Sequence, residues 1–218
     1  MKTIEIVGDI LDDYYGAMYE RYKIPASYPK KVKSQLAEAA GDDVEININS
    51  GGGDVFSGFE IYTAILQYKG NVRINVTGLA ASAASVIMCA GECYISPVGT
   101  VMVHCSACYA SGNHNDLEKT AETLKTIDES IANAYVTKTG MTKEKAVALM
   151  EDTTWITAEK AVEMGLCDGY IERVNTSAQS GEKSSDSKKN DKRASAMAAK
   201  AAKAKARFLT MKGENQNV

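Results

Sequence analysis

The sequence predicts an α/β fold built on a largely parallel sheet with right-handed crossovers, and three observations predict it. Short apolar or alternating segments recur between longer segments of helical period. The order strand, helix, strand repeats, with two strand-to-helix junctions made of glycine or other small residues. A single segment in the second half has the length and amphipathic pattern of one long helix.

Thr3 to Val7 alternates, with Ile4 and Ile6 apolar, and stops at the turn signal Gly8-Asp9. Residues 10–28 are rich in tyrosine and carry no clear period. Pro29 to Ala40 sets Val32, Leu36 and Ala39 at helical spacing before the breaker Gly41. Val44 to Asn49 alternates again and enters Ser50-Gly51-Gly52-Gly53-Asp54, read as a glycine turn. The next helix is marked by Ile61, Ala64, Ile65 and Tyr68.

Val72 to Val76 is a third strand, running through Gly78-Leu79-Ala80-Ala81-Ser82 into a small-residue helix that ends near Ala90. Cys93 to Ile95 and Val101 to Val103 read as short buried strands bracketed by Gly91, Pro97 and Gly99. From Asn115 to Lys138, Leu117, Ala121, Leu124, Ile127, Ile131, Ala134 and Tyr135 share one face. At ~1.5 Å per residue such a helix exceeds about 30 Å. Thr142 caps a helix to Met150, Thr157 caps Ala158 to Met164, Gly165 ends it, and Cys167 to Ile171 is a last strand.

Composition bounds the function classes. With 218 residues, 44% hydrophobic and 24% charged, the chain is that of a folded protein. No stretch reaches the ~18 to 20 apolar residues of a membrane helix, and the N-terminus lacks the apolar run of a secretory signal. A cytoplasmic protein without a membrane partner is the expectation. The net charge of −3 conceals a division: residues 175–218 hold ten Lys or Arg against four Asp or Glu. Residues 1–174 are read as one domain, able to bury roughly 70% of the surface the unfolded chain exposes. Residues 175–193 form a polar linker, and 194–218 a basic, alanine-rich tail that is a marginal helix or disordered. That tail either solubilises and tethers the protein or holds it on an acidic surface, and with Phe208 its one aromatic, base stacking is not indicated.

Three features carry candidate chemistry. Backbone N–H groups of the glycine run can converge on a developing anion, although the run lacks the spacing of a P-loop or a dinucleotide site. Ser82 follows a strand and is hemmed by Gly78, Ala80, Ala81, Ala83 and Ala84, which leave room for a substrate carbonyl; Ser85 is a nearby competitor. His104 follows another strand, and an imidazole supplies the base that a serine nucleophile needs near pH 7. The rival His114 sits in a polar loop. All three features fall at the carboxyl ends of strands, where parallel α/β sheets gather their ligand sites. Cys89, Cys93, His104, Cys105 and Cys108 have superficial zinc spacing, but adjacent residues on a strand face opposite ways, and the five cysteines read better as reduced, small buried hydrophobes. Neither a metal nor a cofactor is expected.

The succession GDI, NSGGGDVFSGFEIY, GLAASAAS, VMVH and DTTWITAEKAVEMGLCD resembles the proteolytic subunit of the Clp serine peptidases (ClpP), above all the shorter tailed-virus relatives that act as prohead-maturation proteases. It extends from about Ile4 to Ile171. The resemblance implies a ClpP/crotonase-like fold of repeated β-β-α and βα units with a long oligomerisation helix. It implies Ser82 as nucleophile, His104 as general base, and the amides of Gly53 and Ala83 as oxyanion donors. The family's acidic triad member falls at Thr153, with Asp152 one position earlier, so either a shifted Asp152 or a Ser/His dyad helped by Thr153 is implied. Gly51 stands where the family often has proline. A heptameric ring, stacked into a tetradecamer, is implied as the assembly.

The expected function is therefore a serine endopeptidase acting through an acyl-enzyme on polypeptide. Because the chain starts at its first strand, ATPase-independent processing of scaffold, capsid or unfolded protein is expected. The competing expectations are a crotonase-type acyl-CoA enzyme and a catalytically impaired structural or scaffold component with the same fold.

Overall fold

The computed structural model describes residues 1–172, so the domain boundary at 174, the linker 175–193 and the tail 194–218 lie outside the described residues. Eight strands form one sheet. Its spine runs in the order β2 (Ala26–Ser27), β1 (Lys2–Ile10), β3 (Val44–Gly53), β4 (Val72–Ala81), β5 (Glu92–Ile95) and β8 (Gly169–Tyr170). Every pair along it is parallel, as βαβ connections require.

The alternating sequence of each central strand explains its two faces. Ile4, Ile6, Val44, Ile46, Ile48, Ile74 and Val76 are essentially solvent-free on one face, where α2 (Pro29–Ala39), α3 (Val55–Leu66) and α4 (Ala83–Ile87) also bury residues in the same core. Burying each such aliphatic side chain contributes about 1.5–3 kcal/mol. The opposite face is polar and laced crosswise: Asn47 donates to Glu5 at 2.9 Å, Asn75 donates to Asn47 at 3.2 Å, and the Arg73 guanidinium lies 3.7 Å from the centre of the Tyr94 ring.

β4 is shared between two directions. Its first half, Arg73 to Val76, pairs with β5, whereas Leu79 to Ala81 pairs with β6 (Thr100–Val103). β6 in turn pairs antiparallel with β7 (Thr154–Thr157). The fork is made possible by a register shift against β3: Ile48 faces Val76, but Ser50 already faces Ala80, so β4 carries two surplus residues.

Several elements differ from the sequence reading. The glycine run is not a turn: Gly51 to Gly53 continue β3, with Gly52 beside Asp9 and Gly53 beside Ile10, after a bulge. The tyrosine-rich segment holds α1 (Asp13–Arg21), capped by Asp12, whose carboxylate accepts the Tyr15 amide at 2.8 Å. Its period was hidden because its buried residue is Gly16, packed against the Tyr28 ring. β7, unread from the sequence, lies in Thr-Trp-Ile-Thr, and the last strand shrinks to Gly169–Tyr170.

The long helix, α5 (His114–Thr139), is present with an Asn113–Asp116 capping box. It buries only Ile131, Ala132, Ala134 and Tyr135 in its second half; Leu117 is exposed and Leu124 and Ile127 are half-buried. The remaining helices, α6 (Lys143–Glu151) and α7 (Ala158–Glu163), start at Thr142 and Thr157 as the caps predict. No helix among the described residues is long and apolar enough to cross a membrane.

Candidate active site

Ser82 stands at the junction of β4 and α4 with φ +54° and ψ −126°, a conformation that disfavours any side chain. Two anchors hold it there. On the strand side its amide donates to the Met102 carbonyl of β6 at 2.9 Å. On the helix side its own carbonyl accepts the Ser85 amide at 2.9 Å and the Ser85 hydroxyl at 2.6 Å. Strain of this kind costs about 1–3 kcal/mol and persists only where the surroundings over-determine it.

His104 follows β6 directly. Because Ala81 is in register with Met102, both chains end side by side, and His104 Nε2 lies 2.7 Å from Ser82 Oγ. The structure brings these two strand tips together. Among the described residues His104 hydrogen-bonds Ser82 alone. The rival histidine, His114, is an exposed first residue of α5, and the rival serine, Ser85, is wholly buried.

The glycines close the other side. Gly52 has φ +96°, and a Cβ added to it would lie 2.6 Å from Ser82 Cβ and 3.0 Å from the Ala83 amide nitrogen. Gly53, at φ +146°, packs against the backbone of Ile10 so tightly that a Cβ would meet its carbonyl oxygen at 2.1 Å. Gly51 faces open space. The Ala83 amide is the first of α4 and so has no acceptor within its own helix.

Asp152 and Thr153 lie side by side between α6 and β7, both exposed. Asp152 is the C-cap of α6, and Thr153 adopts φ +48°, rare for a β-branched residue. Neither is hydrogen-bonded to His104, so the orienting member that the resemblance implies is not engaged in this structure. Met102 lies directly across from the exposed Trp155 in the β6–β7 pair, beside the serine.

The cysteines divide. Cys89, Cys93 and Cys167 are buried, but Cys105 is only half-buried and Cys108 is exposed, which corrects the expectation that all five are buried. Burial first, and then the Asp128 carboxylate, push the Cys105 thiol up to about 11. No group of three or more His, Cys, Asp or Glu that could hold a metal occurs among the described residues.

Sequence reasoning missed two residues of α5 that reach this region. The Tyr135 hydroxyl is 2.7 Å from Ser85 Oγ, and Asp128 accepts the Ser106 amide at 2.6 Å. In the sequence Tyr135 reads only as part of the apolar helix face and Asp128 is not singled out, because only tertiary packing gives them these partners.

A strand-end serine in hydrogen-bonding range of a histidine, set on a forked parallel sheet, has the form of a serine-hydrolase nucleophile and base. The family model described as Clp protease matches residues 26–174, and the chain belongs to that family. It is 32% identical over 140 residues to the ATP-dependent Clp protease proteolytic subunit 1 of Chlamydia abortus, covering 62% of this chain and 73% of the relative. It is 32% identical over 181 residues to the corresponding subunit of Porphyromonas gingivalis, covering 79% and 75%. Against the Bacteroides fragilis subunit, 33% identical over 134 residues, the match spans 65% of the relative. Among solved structures, a ClpP1 variant from Listeria monocytogenes superposes with a TM-score of 0.65 at 25% identity, over 78% of this chain and 91% of that one.

Proposed function

We propose that this chain is a serine endopeptidase with Ser82 as nucleophile and His104 as general base. The observation that carries the reading is the 2.7 Å contact between Ser82 Oγ and His104 Nε2. Ser82 Oγ attacks the scissile carbonyl while His104 takes its proton. The oxyanion is held by the amides of Gly53 and Ala83, each such donor being worth about 2.7–4 kcal/mol. The C–N bond then breaks, His104 returns the proton to the leaving amine, and water attacks the acyl-enzyme by the same route in reverse. Thr153 or Asp152, either one after a loop movement that brings it to the ring, orients the imidazole.

The substrate is an accessible polypeptide, such as scaffold, capsid or unfolded protein, cleaved without an ATPase. The assembly is a homo-oligomeric ring, of seven stacked into fourteen as the resemblance implies; the exposed Leu117 and the half-covered Leu124 and Ile127 support self-association through α5.

The test is acylation by a fluorophosphonate probe together with cleavage of unfolded casein without ATP. Labelling at Ser82, lost in Ser82→Ala, with casein cleavage, is the expected result. Labelling at no serine would overturn the reading in favour of an acyl-CoA enzyme or a scaffold protein. The scaffold alternative draws on one observation, the exposed Thr153 where the family has an acid. Native mass measurement reads the ring size.

A further inference from the structure

We propose that Tyr135 and Asp128, two turns apart on α5, are positioning residues for the Ser82–His104 pair, one holding the backbone of the serine and the other the segment that follows the histidine. The inference rests on the peptidase reading for its kinetic arm alone.

The link to the serine follows from counting protons. Ser85 Oγ lies 2.6 Å from the Ser82 carbonyl oxygen, which can only accept, so the single hydroxyl hydrogen of Ser85 is committed there. The Tyr135 hydroxyl at 2.7 Å must then donate to Ser85 Oγ. The chain Tyr135 O–H to Ser85 O–H to Ser82 C=O is buried, with Tyr135 3% and Ser85 0% exposed. Each bond polarises the next, and water cannot replace a missing member. This chain pins the peptide that follows a residue held at φ +54°. If it is loosened, Ser82 can relax toward an ordinary conformation, carrying Oγ away from His104.

The link to the histidine is shorter. Asp128 Oδ1 accepts the Ser106 amide at 2.6 Å, and the Ser106 hydroxyl donates to the Leu124 carbonyl one turn earlier on the same helix at 3.2 Å. These bonds fix the chain two residues past His104, where β6 has ended and no strand ladder restrains it. Asp128 and Tyr135 differ by seven residues, which at 100° per residue returns to within about 20° of the same helix face. A single rigid element therefore sets the separation of the two reacting side chains, and a displacement of about 1 Å at such a pair costs on the order of 10² in rate.

The experiment uses the full chain with Tyr135→Phe, Asp128→Ala and Asp128→Asn. The fluorophosphonate rate constant at Ser82 and the kcat and KM for casein-derived peptide are measured. The expected result is a drop in kcat of about tenfold or more in Tyr135→Phe and Asp128→Ala, with KM within about twofold, and substantial rescue in Asp128→Asn, which retains an acceptor oxygen. The second readout needs no catalysis: with only two histidines in the chain, the ring nitrogen resonances of His104 are separable from those of His114. Nε2 of His104 is expected to shift in Tyr135→Phe and Asp128→Ala, and to return toward the parent position in Asp128→Asn. Unchanged resonances and kcat in folded Tyr135→Phe and Asp128→Ala overturn the inference, as does an Asp128→Asn no better than Asp128→Ala. A parent that neither labels nor cleaves, while the resonances move as stated, removes the peptidase reading and leaves the positioning inference standing.

Discussion

The backbone of Gly52 lies against the side chain of Ser82 so closely that a Cβ on Gly52 would stand 2.6 Å from the Cβ of Ser82. The same Cβ would meet the Ala81 carbonyl at 2.7 Å, and Gly52 has φ +96°. Gly52→Ala is therefore expected to displace the serine and lower its acylation rate by about 10². Gly51→Ala, whose Cβ meets nothing within 4 Å, is expected to stay within about twofold of the parent. Fluorophosphonate labelling rates on both variants check the pair, and equal rates would refute the packing argument.

Thr153 holds a left-handed backbone while exposed to solvent. For a β-branched residue this costs about 1–2 kcal/mol, partly recovered by glycine after its greater unfolded-state entropy is counted. Thr153→Gly should raise the midpoint of thermal unfolding slightly. Thr153→Asp should raise kcat by about tenfold or more, toward the ~10⁴ that an orienting carboxylate supplies elsewhere. A large fall in kcat on Asp152→Ala would instead assign the orienting role to Asp152.

The end of the described chain is tied down by one ion pair. Lys138 of α5 donates to Asp168 at 2.5 Å and to the Gly91 carbonyl at 2.7 Å, and Asp168 accepts the Cys93 amide at 2.8 Å. The lysine side chain is 10% exposed and the aspartate 37%, so solvent screens part of the attraction. Lys138→Met is expected to lower unfolding stability by about 1–3 kcal/mol, read by urea denaturation. A loss below about 0.3 kcal/mol would show the pair to be dispensable.

Thiol chemistry gives a pH test. The Cys105 thiol, raised to about 11 by burial and then by Asp128, is protonated at pH 8, whereas the thiolate is the reacting form. Exposed Cys108 should be alkylated first by iodoacetamide at pH 8. Labelling of Cys105 should climb as pH rises toward 11, and Asp128→Asn should move that climb to lower pH. Mass-mapped alkylation rates read this, and equal labelling of both cysteines at pH 8 would contradict it.

Much of the fold was legible because the pattern of apolar residues carried it. Ile4 and Ile6, Ile46 and Ile48, and Ile74 alternate because one face of each strand is buried, and Thr142 and Thr157 cap helices by side-chain geometry that is local. What was not legible depends on partners distant in the chain. Thr-Trp-Ile-Thr becomes β7 only through pairing with β6, and the glycine run is drawn into β3 by β1. The half-empty face of α5 was likewise indistinguishable from a buried one, since Leu117 and Ile131 carry the same period. The meeting of Ser82 and His104 was inferable from strand ends alone, whereas the tyrosine and aspartate reaching toward them from α5 have no local signature.

The two extra residues that β4 carries between Val76 and Ala80 act as a branch point. They add no advance against β3, because four positions of β4 there span only two of its neighbour; the surplus is taken up as a bulge, which re-aims the strand. Before the bulge β4 runs beside β5, and after it beside β6, whose end carries His104 to within 2.7 Å of Ser82. Deleting residues from Thr77 to Leu79 would straighten the strand and so is expected to part that serine from that histidine while leaving both side chains untouched.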